Sequence, residues 1–100
     1  MKVIWSPRAV ARAAEIATYI AADRPDAAAA WVDGLFASVA DLKDHPRRGR
    51  RVPELDRPTI REVLHGRYRI IYRVDPRQIV VLTVRHGCRD WDPGEVRPEE

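Results

Sequence analysis

Cysteine and long apolar runs are scarce in this sequence, and each shortage excludes a class of protein. The single cysteine, Cys88, excludes an internal disulfide and any metal site built from several cysteines. No apolar run approaches the ~20 residues that a helix needs to cross a bilayer, so membrane insertion is excluded. The apolar run Val3–Trp5 is far shorter than that of a secretory signal peptide, and we therefore expect a cytoplasmic protein.

Positive charge is concentrated in the second half of the chain, although the net charge is only +3. Residues 1–46 carry five Lys/Arg against six Asp/Glu, residues 47–89 carry twelve against four, and residues 90–100 carry one against five. This asymmetry predicts a basic surface made by the second half, with an acidic tail that either shields the surface or stays solvated. We expect a single domain over residues 1–91 and a flexible acidic tail over residues 92–100.

Two helices are expected after a short strand at the N-terminus. Lys2–Trp5 is β-prone, and Ser6 then suits the N-cap of a helix that has Pro7 at its first position. Apolar residues recur from Val10 at the spacing of one helical face, until the break at Asp23–Pro25. A second amphipathic run follows that break, so the sequence predicts a helical hairpin.

A loop and three strands are expected in the second half. The stretch from Arg47 to Pro58 has no periodicity and is interrupted by glycine and proline, so we interpret it as a loop. Its first five positions hold four arginines, Arg47, Arg48, Arg50 and Arg51. Three strand-like runs follow, with connections short enough for an antiparallel meander, at Ile60–His65, Arg67–Asp75 and Gln78–His86. The predicted fold is α+β in the order β-α-α-β-β-β, with the helical hairpin packed on one face of a four-stranded, mainly antiparallel sheet.

The alternation of side chains along the strands predicts which of them face the helices. The helix-covered face is expected to contain Tyr68, Ile70, Tyr72, Val74, Val80, Leu82 and Val84. The open face is expected to contain Arg69, Ile71, Arg73, Ile79, Val81, Thr83 and Arg85. By the same alternation, Glu62 and His86 are expected to point away from Arg69 and Arg85.

The arginines of the open face suggest a binding platform. If Arg61 also lies on this face, then Arg61, Arg69 and Arg85 converge beside the arginine-rich loop and form a surface for a polyanionic or acidic partner. In the alternative interpretation, each arginine pairs with a carboxylate or covers an apolar patch. The carboxylates available for such pairing include Glu54, Glu62 and Asp75.

The order and spacing of four motifs resemble the RelE/ParE superfamily of toxins from bacterial type II toxin–antitoxin modules. The resemblance extends over nearly the whole chain, and these motifs are VIWSPRAVARAAEIATYIAADRPDAAAAW, HPRRGRRVPEL, IREVLHGRYRIIYRV and VRHGCRDW. The resemblance implies a small α+β toxin that has no cofactor and no metal. It also implies a cognate antitoxin that holds the toxin inactive in a toxin–antitoxin hetero-oligomer.

The resemblance leaves the molecular target open, because fold alone does not fix function. ParE-like members inhibit DNA gyrase, whereas RelE-like members cleave messenger RNA in the ribosome. A third interpretation is a basic binding domain without toxicity. In the ParE-like case the protein binds its target without catalytic residues of its own. The residues then expected to bind the target are Arg47, Arg48, Arg50, Arg51, Arg61, Arg69, Arg85 and Trp91.

RNA cleavage would require a base, an acid and cations that stabilise the phosphorane. If the chain is RelE-like, the resemblance implies catalytic roles for Arg61, Arg69, Arg85 and His86. The late tyrosine of the RelE-like pattern is absent, and the indole of Trp91 cannot transfer a proton at ordinary pH. His86 and Glu62 remain as a possible acid and base, and His86 also has a structural interpretation, as a hydrogen-bonded residue near a strand end. Because the ending RHGCRDW is more similar to ParE-like members, we favour gyrase inhibition.

Overall fold

The computed structural model describes residues 1–55, 57–87 and 92–96, and these form two helices packed on a five-stranded sheet. The strands are β1 (Lys2–Trp5), β2 (Arg50–Arg51), β3 (Ile60–His65), β4 (Tyr68–Val74) and β5 (Gln78–His86). The helices are α1 (Pro7–Ala21) and α2 (Pro25–Asp41), and a 3₁₀ turn covers Pro93–Glu95. Within the described ranges, neither helix is long and apolar enough to cross a membrane.

The strand order in the sheet is β1-β5-β4-β3-β2. β1 runs parallel to β5, and the other neighbouring strands are antiparallel. The α+β fold class and the helical hairpin are confirmed. The predicted number of four strands is wrong, because Arg50–Arg51, inside the predicted loop, pairs with Arg61 and Glu62 of β3. A strand of two residues is too short to leave an alternating pattern in the sequence.

Ser6 connects the first helix to the sheet. Its Oγ accepts a hydrogen bond from the Ala9 amide at 3.1 Å, which caps α1, and donates one to the Leu82 carbonyl of β5 at 3.0 Å. Pro7 occupies the first helical turn, where its missing N–H is not needed. As a result, α1 starts at a fixed place beside β5, directly after β1 ends.

A β-bulge in β5 changes which of its side chains face the helices. Ile71 pairs with Thr83 but Tyr72 pairs with Val81, so Leu82 is an extra residue in β5. Because one inserted residue exchanges the two faces, the predicted faces of this strand are reversed before the bulge and correct after it. The sheet residues of the helix-side core are Val63, Ile70, Tyr72, Ile79, Val81 and Val84, and the helices add Ala9, Leu35, Val39 and Leu42.

The second face of the sheet, predicted to be open, is also covered. Its apolar cluster consists of Val52, Ile60, Ile71, Val80, Leu82 and Val96. Val52 comes from the segment that precedes β3, and Val96 comes from the segment after the 3₁₀ turn. Both segments therefore fold over the sheet, and residues near the end of the chain contribute to its core.

Candidate target-binding surface

Arg69 of β4 is held by two carboxylates on the second face of the sheet. Its Nη1 and Nη2 each donate to an oxygen of Glu54 at 2.8 Å, and its Nε donates to Glu62 Oε1 at 2.8 Å. Arg69 is 6% exposed and Glu62 is 2% exposed. Hydrogen bonding to Glu54, and then to Glu62, raises the pKa of Arg69 above its ordinary value, although burial opposes this rise.

The prediction that Arg69 lies on an open face is wrong, and of the two interpretations left open for this arginine, pairing with Glu54 and Glu62 is the one observed. Leu64 is the cross-strand neighbour of Arg69, so Glu62, two residues before Leu64, shares the same face. The predicted orientation of Glu62 away from Arg69 is therefore also wrong, because alternation along one strand does not reveal the register with the next. Arg50 donates to the other oxygen of Glu62 at 2.8 Å, so each oxygen of this carboxylate has an arginine partner.

Arg61 does not join Arg69 and Arg85, contrary to the prediction. Its cross-strand neighbour is Tyr72, whose side chain lies in the helix-side core. The Nη1 of Arg61 donates to the Gly49 carbonyl at 2.9 Å. Arg69 and Arg85, in contrast, are direct cross-strand neighbours. The three arginines of the predicted platform are therefore divided between the two faces of the sheet.

Tyr72 anchors the segment that carries the arginine-rich stretch. Its hydroxyl donates to the Pro46 carbonyl at 2.8 Å and accepts from the Gly49 amide at 3.0 Å, and its side chain is fully buried. Burial is the main cause that raises the pKa of Tyr72 above its ordinary value. A Cβ at Gly49 would lie 2.5 Å from the Glu62 carbonyl oxygen, so the close approach of the two backbones requires glycine.

Four exposed arginines share residues 46–55, which we name the arginine loop, and they are Arg47, Arg48, Arg50 and Arg51. Arg48 pairs with Asp41 of α2 at 3.1 Å. The side chain of Arg50 stays 67% exposed while it pairs with Glu62. Because the loop is bonded to the sheet through both faces, it presents these four guanidinium groups from a fixed backbone.

A second basic group surrounds the carboxylate of Glu95. Arg12 of α1 donates from Nε to Glu95 Oε1 at 2.7 Å, and Arg8 donates to the same oxygen at 3.3 Å. Arg85 of β5 lies 3.4 Å from the other oxygen. The hydrogen bond to Glu95 is the largest cause of the raised pKa of Arg12. Over residues 92–96 the acidic tail therefore contacts the basic surface, and the rest of the tail lies outside the described residues.

The remaining predicted site residues are His86 and Trp91. His86 stands opposite Tyr68, with the ring centroids 5.2 Å apart, on the face that carries Val84. Trp91 lies outside the described residues, as does Cys88. Within the part of the chain that the structure describes, no three His, Cys, Asp or Glu side chains lie together as metal ligands would.

Sequence reasoning identified the arginines but not the structural role of their acidic partners. One signal was available, because Glu62 stands in a strand-like run, where a carboxylate on a covered face needs an internal partner. No local signal marks Glu95, whose partners Arg12 and Arg8 are 83 and 87 residues away. The importance of Gly49 follows only from the packing of two backbone segments.

Comparison with known proteins agrees with this architecture. The family model described as the ParE toxin of the type II toxin–antitoxin system parDE matches residues 3–91. The candidate toxin Y4kP of Sinorhizobium fredii is 37% identical over 91 residues, which are 90% of this chain and 92% of that protein.

Two solved structures have a similar fold. The chromosomal ParDE toxin–antitoxin system from P. aeruginosa contains a chain with a TM-score of 0.73 and 20% identity, and the match covers 86% of this chain and 95% of that chain. The RelBE2 toxin–antitoxin complex from Mycobacterium tuberculosis contains one with a TM-score of 0.58 and 25% identity, covering 85% of this chain and 95% of that chain. With the family model matched over nearly the whole chain, this protein belongs to the ParE toxin family of type II toxin–antitoxin systems.

Proposed function

We propose that this toxin acts in the cytoplasm, that it inhibits DNA gyrase by binding to it, and that a cognate antitoxin neutralises it in a hetero-oligomer. The observation that carries the proposal is the internal pairing of Arg69. This residue is the strand arginine for which a RelE-like activity implies a role in RNA cleavage. Because Glu54 and Glu62 bind its guanidinium, Arg69 is not available to stabilise a phosphorane.

Two other groups of the RelE-like interpretation are engaged within the fold. Arg61 donates to the Gly49 carbonyl, and Glu62, a candidate base, accepts hydrogen bonds from Arg50 and Arg69. Both oxygens of this buried carboxylate already accept hydrogen bonds from guanidinium groups, so neither is available to a substrate. Inhibition by binding requires neither a free base nor a free acid, so this geometry favours the ParE-like activity over the RelE-like one.

The arginine loop is the proposed contact surface for gyrase. Arginine is among the side chains that contribute most at protein interfaces, where a few anchors supply most of the binding energy. The backbone of the loop is already fixed by Tyr72 and Gly49, so little backbone entropy is lost when a partner binds. Arg85 and Trp91 remain predicted contacts, whereas we now assign Arg61 and Arg69 a structural role.

The proposed antitoxin site lies between β1 and α2. The rings of Trp5 and Phe36 are in contact there, with centroids 5.2 Å apart, and Phe36 is 55% exposed. A cleft of about 460 Å³ lies beside them. In the described part of the chain β1 is an edge strand, so backbone groups along its outer side are free to pair. These features suit an amphipathic helix followed by an extended segment rich in Asp and Glu.

The proposal is tested by supercoiling of relaxed plasmid DNA by purified gyrase in the presence of the purified toxin. We expect inhibition at near-stoichiometric toxin, and we expect the product of the neighbouring gene to restore supercoiling. Replacement of Arg47, Arg48 and Arg51 by glutamine in one variant should weaken the inhibition. Arg77→Gln should not weaken it, because Arg77 is exposed but lies outside the arginine loop. Full gyrase activity at excess toxin, together with cleavage of messenger RNA on ribosomes, would refute the proposal.

A further inference from the structure

An open cleft lies between α1 and the neighbouring ends of β4 and β5. Its volume is about 450 Å³, within the roughly 300–1,000 Å³ that is usual for small-molecule sites. Basic and aromatic side chains line it together, among them Arg67, Arg85, Tyr19, Tyr68 and His86. The cleft is separate from both the arginine loop and the groove between β1 and α2.

Two of the arginines that line the cleft are accessible to an incoming anion. Arg67, in the turn between β3 and β4, is exposed and forms no ion pair with the other described residues. Arg85 has a carboxylate oxygen of Glu95 at 3.4 Å, which is longer than a strong charge-assisted hydrogen bond. Arg12 differs, because Glu95 and Glu15 engage its nitrogen atoms, and it contributes positive charge rather than free donors.

Aromatic rings stand beside these guanidinium groups. Tyr19 of α1 is 70% exposed, although it lines the cleft. Tyr68 and His86 contact each other edge to face, with centroids 5.2 Å apart, and Tyr68 also contacts Trp31 at 5.3 Å. The inner rings are therefore fixed by packing, while the face of Tyr19 is accessible to a ligand.

Backbone contacts hold the cleft in shape. Gly66, with φ at 60°, occupies the first central position of the two-residue turn that carries Arg67, a position that favours glycine. The Gly87 amide donates to the Arg67 carbonyl at 2.7 Å, which ties the end of β5 to this turn. A Cβ at Gly87 would lie 3.1 Å from that same oxygen. The two accessible arginines are therefore mounted on segments that are bonded to each other.

We propose that this cleft binds a nucleoside phosphate, with the phosphate held by Arg67 and Arg85 and the base stacked on Tyr19. A guanidinium group can bind two phosphate oxygens at once through a bidentate pair of hydrogen bonds, and any nucleobase can stack on an aromatic ring. A carboxylate ligand would use the arginines but not the rings, so the combination favours a nucleotide over an acidic peptide. A free nucleotide and the 5′-phosphorylated end of a nucleic acid strand share this chemistry.

The experiment is a titration of the purified full chain with 5′-AMP, followed by NMR of the backbone amides. We expect saturable shifts at residues 16–19, 66–68 and 84–87. The Kd for 5′-AMP should be at least about tenfold lower than that for inorganic phosphate, because one stacked base contributes an order of magnitude or more. A 5′-phosphorylated dinucleotide that binds tighter than 5′-AMP assigns a strand end as the ligand, and equal affinity assigns the free nucleotide.

Two matched pairs of variants make the test specific. Arg67→Gln should weaken 5′-AMP binding at least about tenfold, whereas Arg77→Gln, in the turn at the other end of β4, should leave it unchanged. Tyr19→Ala should weaken it by about tenfold, whereas Tyr19→Phe should bind normally. Equal affinity for 5′-AMP, inorganic phosphate and hexaglutamate would overturn the proposal, as would a Kd for 5′-AMP that Arg67→Gln does not change. These variants leave Arg85, the one described residue that the cleft shares with the proposed gyrase contacts, unchanged, so neither result bears on gyrase inhibition through the arginine loop.

Discussion

The carboxylate of Glu62 lies against the guanidinium of Arg69 with both side chains almost completely buried. An arginine in a largely buried strand can bind a partner protein or stabilise the fold, and this contact assigns Arg69 to the fold. It also joins the strand to the arginine loop, because Glu54 of that loop binds the same guanidinium. The arginine loop is therefore supported by a buried ion network. Mutations of the buried pair should affect stability, whereas mutations of the exposed arginines should affect binding.

Arg69→Ala should lower the free energy of unfolding by about 3–5 kcal/mol, because it leaves the buried carboxylate of Glu62 without its main partner. Arg85→Ala should lower it by no more than about 1 kcal/mol, since the Arg85 side chain is 25% exposed and its contact with Glu95 is long. Urea unfolding of the two variants beside the wild type measures the difference. Equal stability of the two variants would contradict the structural role of Arg69.

The double variant Arg69→Met, Glu62→Leu should recover most of the stability that Arg69→Ala loses. Apolar side chains of similar size remove both buried charges, and such replacements are often neutral or stabilising. Glu54 does not need replacement, because its side chain is 35% exposed and water can solvate it. A double variant as unstable as Arg69→Ala would show that packing, rather than the unpaired charge, explains the loss.

Tyr72→Phe should lower the free energy of unfolding by about 1–3 kcal/mol, because the Gly49 amide and the Pro46 carbonyl both lose their partner in a buried site. Tyr19→Phe is the matched control, since the Tyr19 side chain is 70% exposed and should lose almost nothing. Thermal and urea unfolding of both variants test this expectation. A stable Tyr72→Phe variant would mean that the arginine loop is not anchored by this hydroxyl.

The same tyrosine predicts a loss of stability at alkaline pH. Burial raises the pKa of Tyr72 in the folded state, whereas in the unfolded chain it ionises near 10.0. Between these two pKa values the unfolded state binds fewer protons, so the free energy of unfolding falls as the pH rises above about 10. Below that pH, Tyr72 makes its full contribution to the free energy of unfolding. The fall measured by urea unfolding should be smaller in Tyr72→Phe, and an identical pH profile would contradict the assignment.

Glu95→Gln should lower the free energy of unfolding by about 1–2 kcal/mol and make stability more dependent on salt. The change removes the anion that separates Arg8, Arg12 and Arg85, and salt then screens their mutual repulsion. Glu15→Gln is the control, because its carboxylate also contacts Arg12 but its side chain is 63% exposed. If both variants lose the same small amount, the carboxylate of Glu95 does not contribute to stability.

Local sequence patterns predicted the elements of this fold better than their contacts. Helical periodicity and the Ser6 and Pro7 cap predicted α1, and the three strands that form the meander were predicted with nearly the observed bounds. The sequence did not predict which side chains of β5 face the helices. The bulge at Leu82 reverses the two faces of the strand without leaving a local signal.

The sequence predicted which residue type dominates the candidate site, but it did not predict how those residues are arranged and paired. The abundance of arginine pointed to a basic surface, but which arginines are free depends on partners far away in the chain. Glu62 meets Arg69 through the register of two strands, and Glu95 meets Arg12 through the packing of the C-terminal turn on α1. Such pairings are tertiary, so alternation and local composition do not predict them.

The most direct test of the central claim is induction of the toxin in growing cells without its antitoxin, with the DNA damage response and transcript 5′ ends recorded in the same culture. Inhibition of gyrase predicts growth arrest with a strong DNA damage response and intact transcripts. The triple variant Arg47→Gln, Arg48→Gln, Arg51→Gln should reduce both the arrest and the damage response. Growth arrest without a damage response, accompanied by codon-phased cuts in translated messages, would contradict the account.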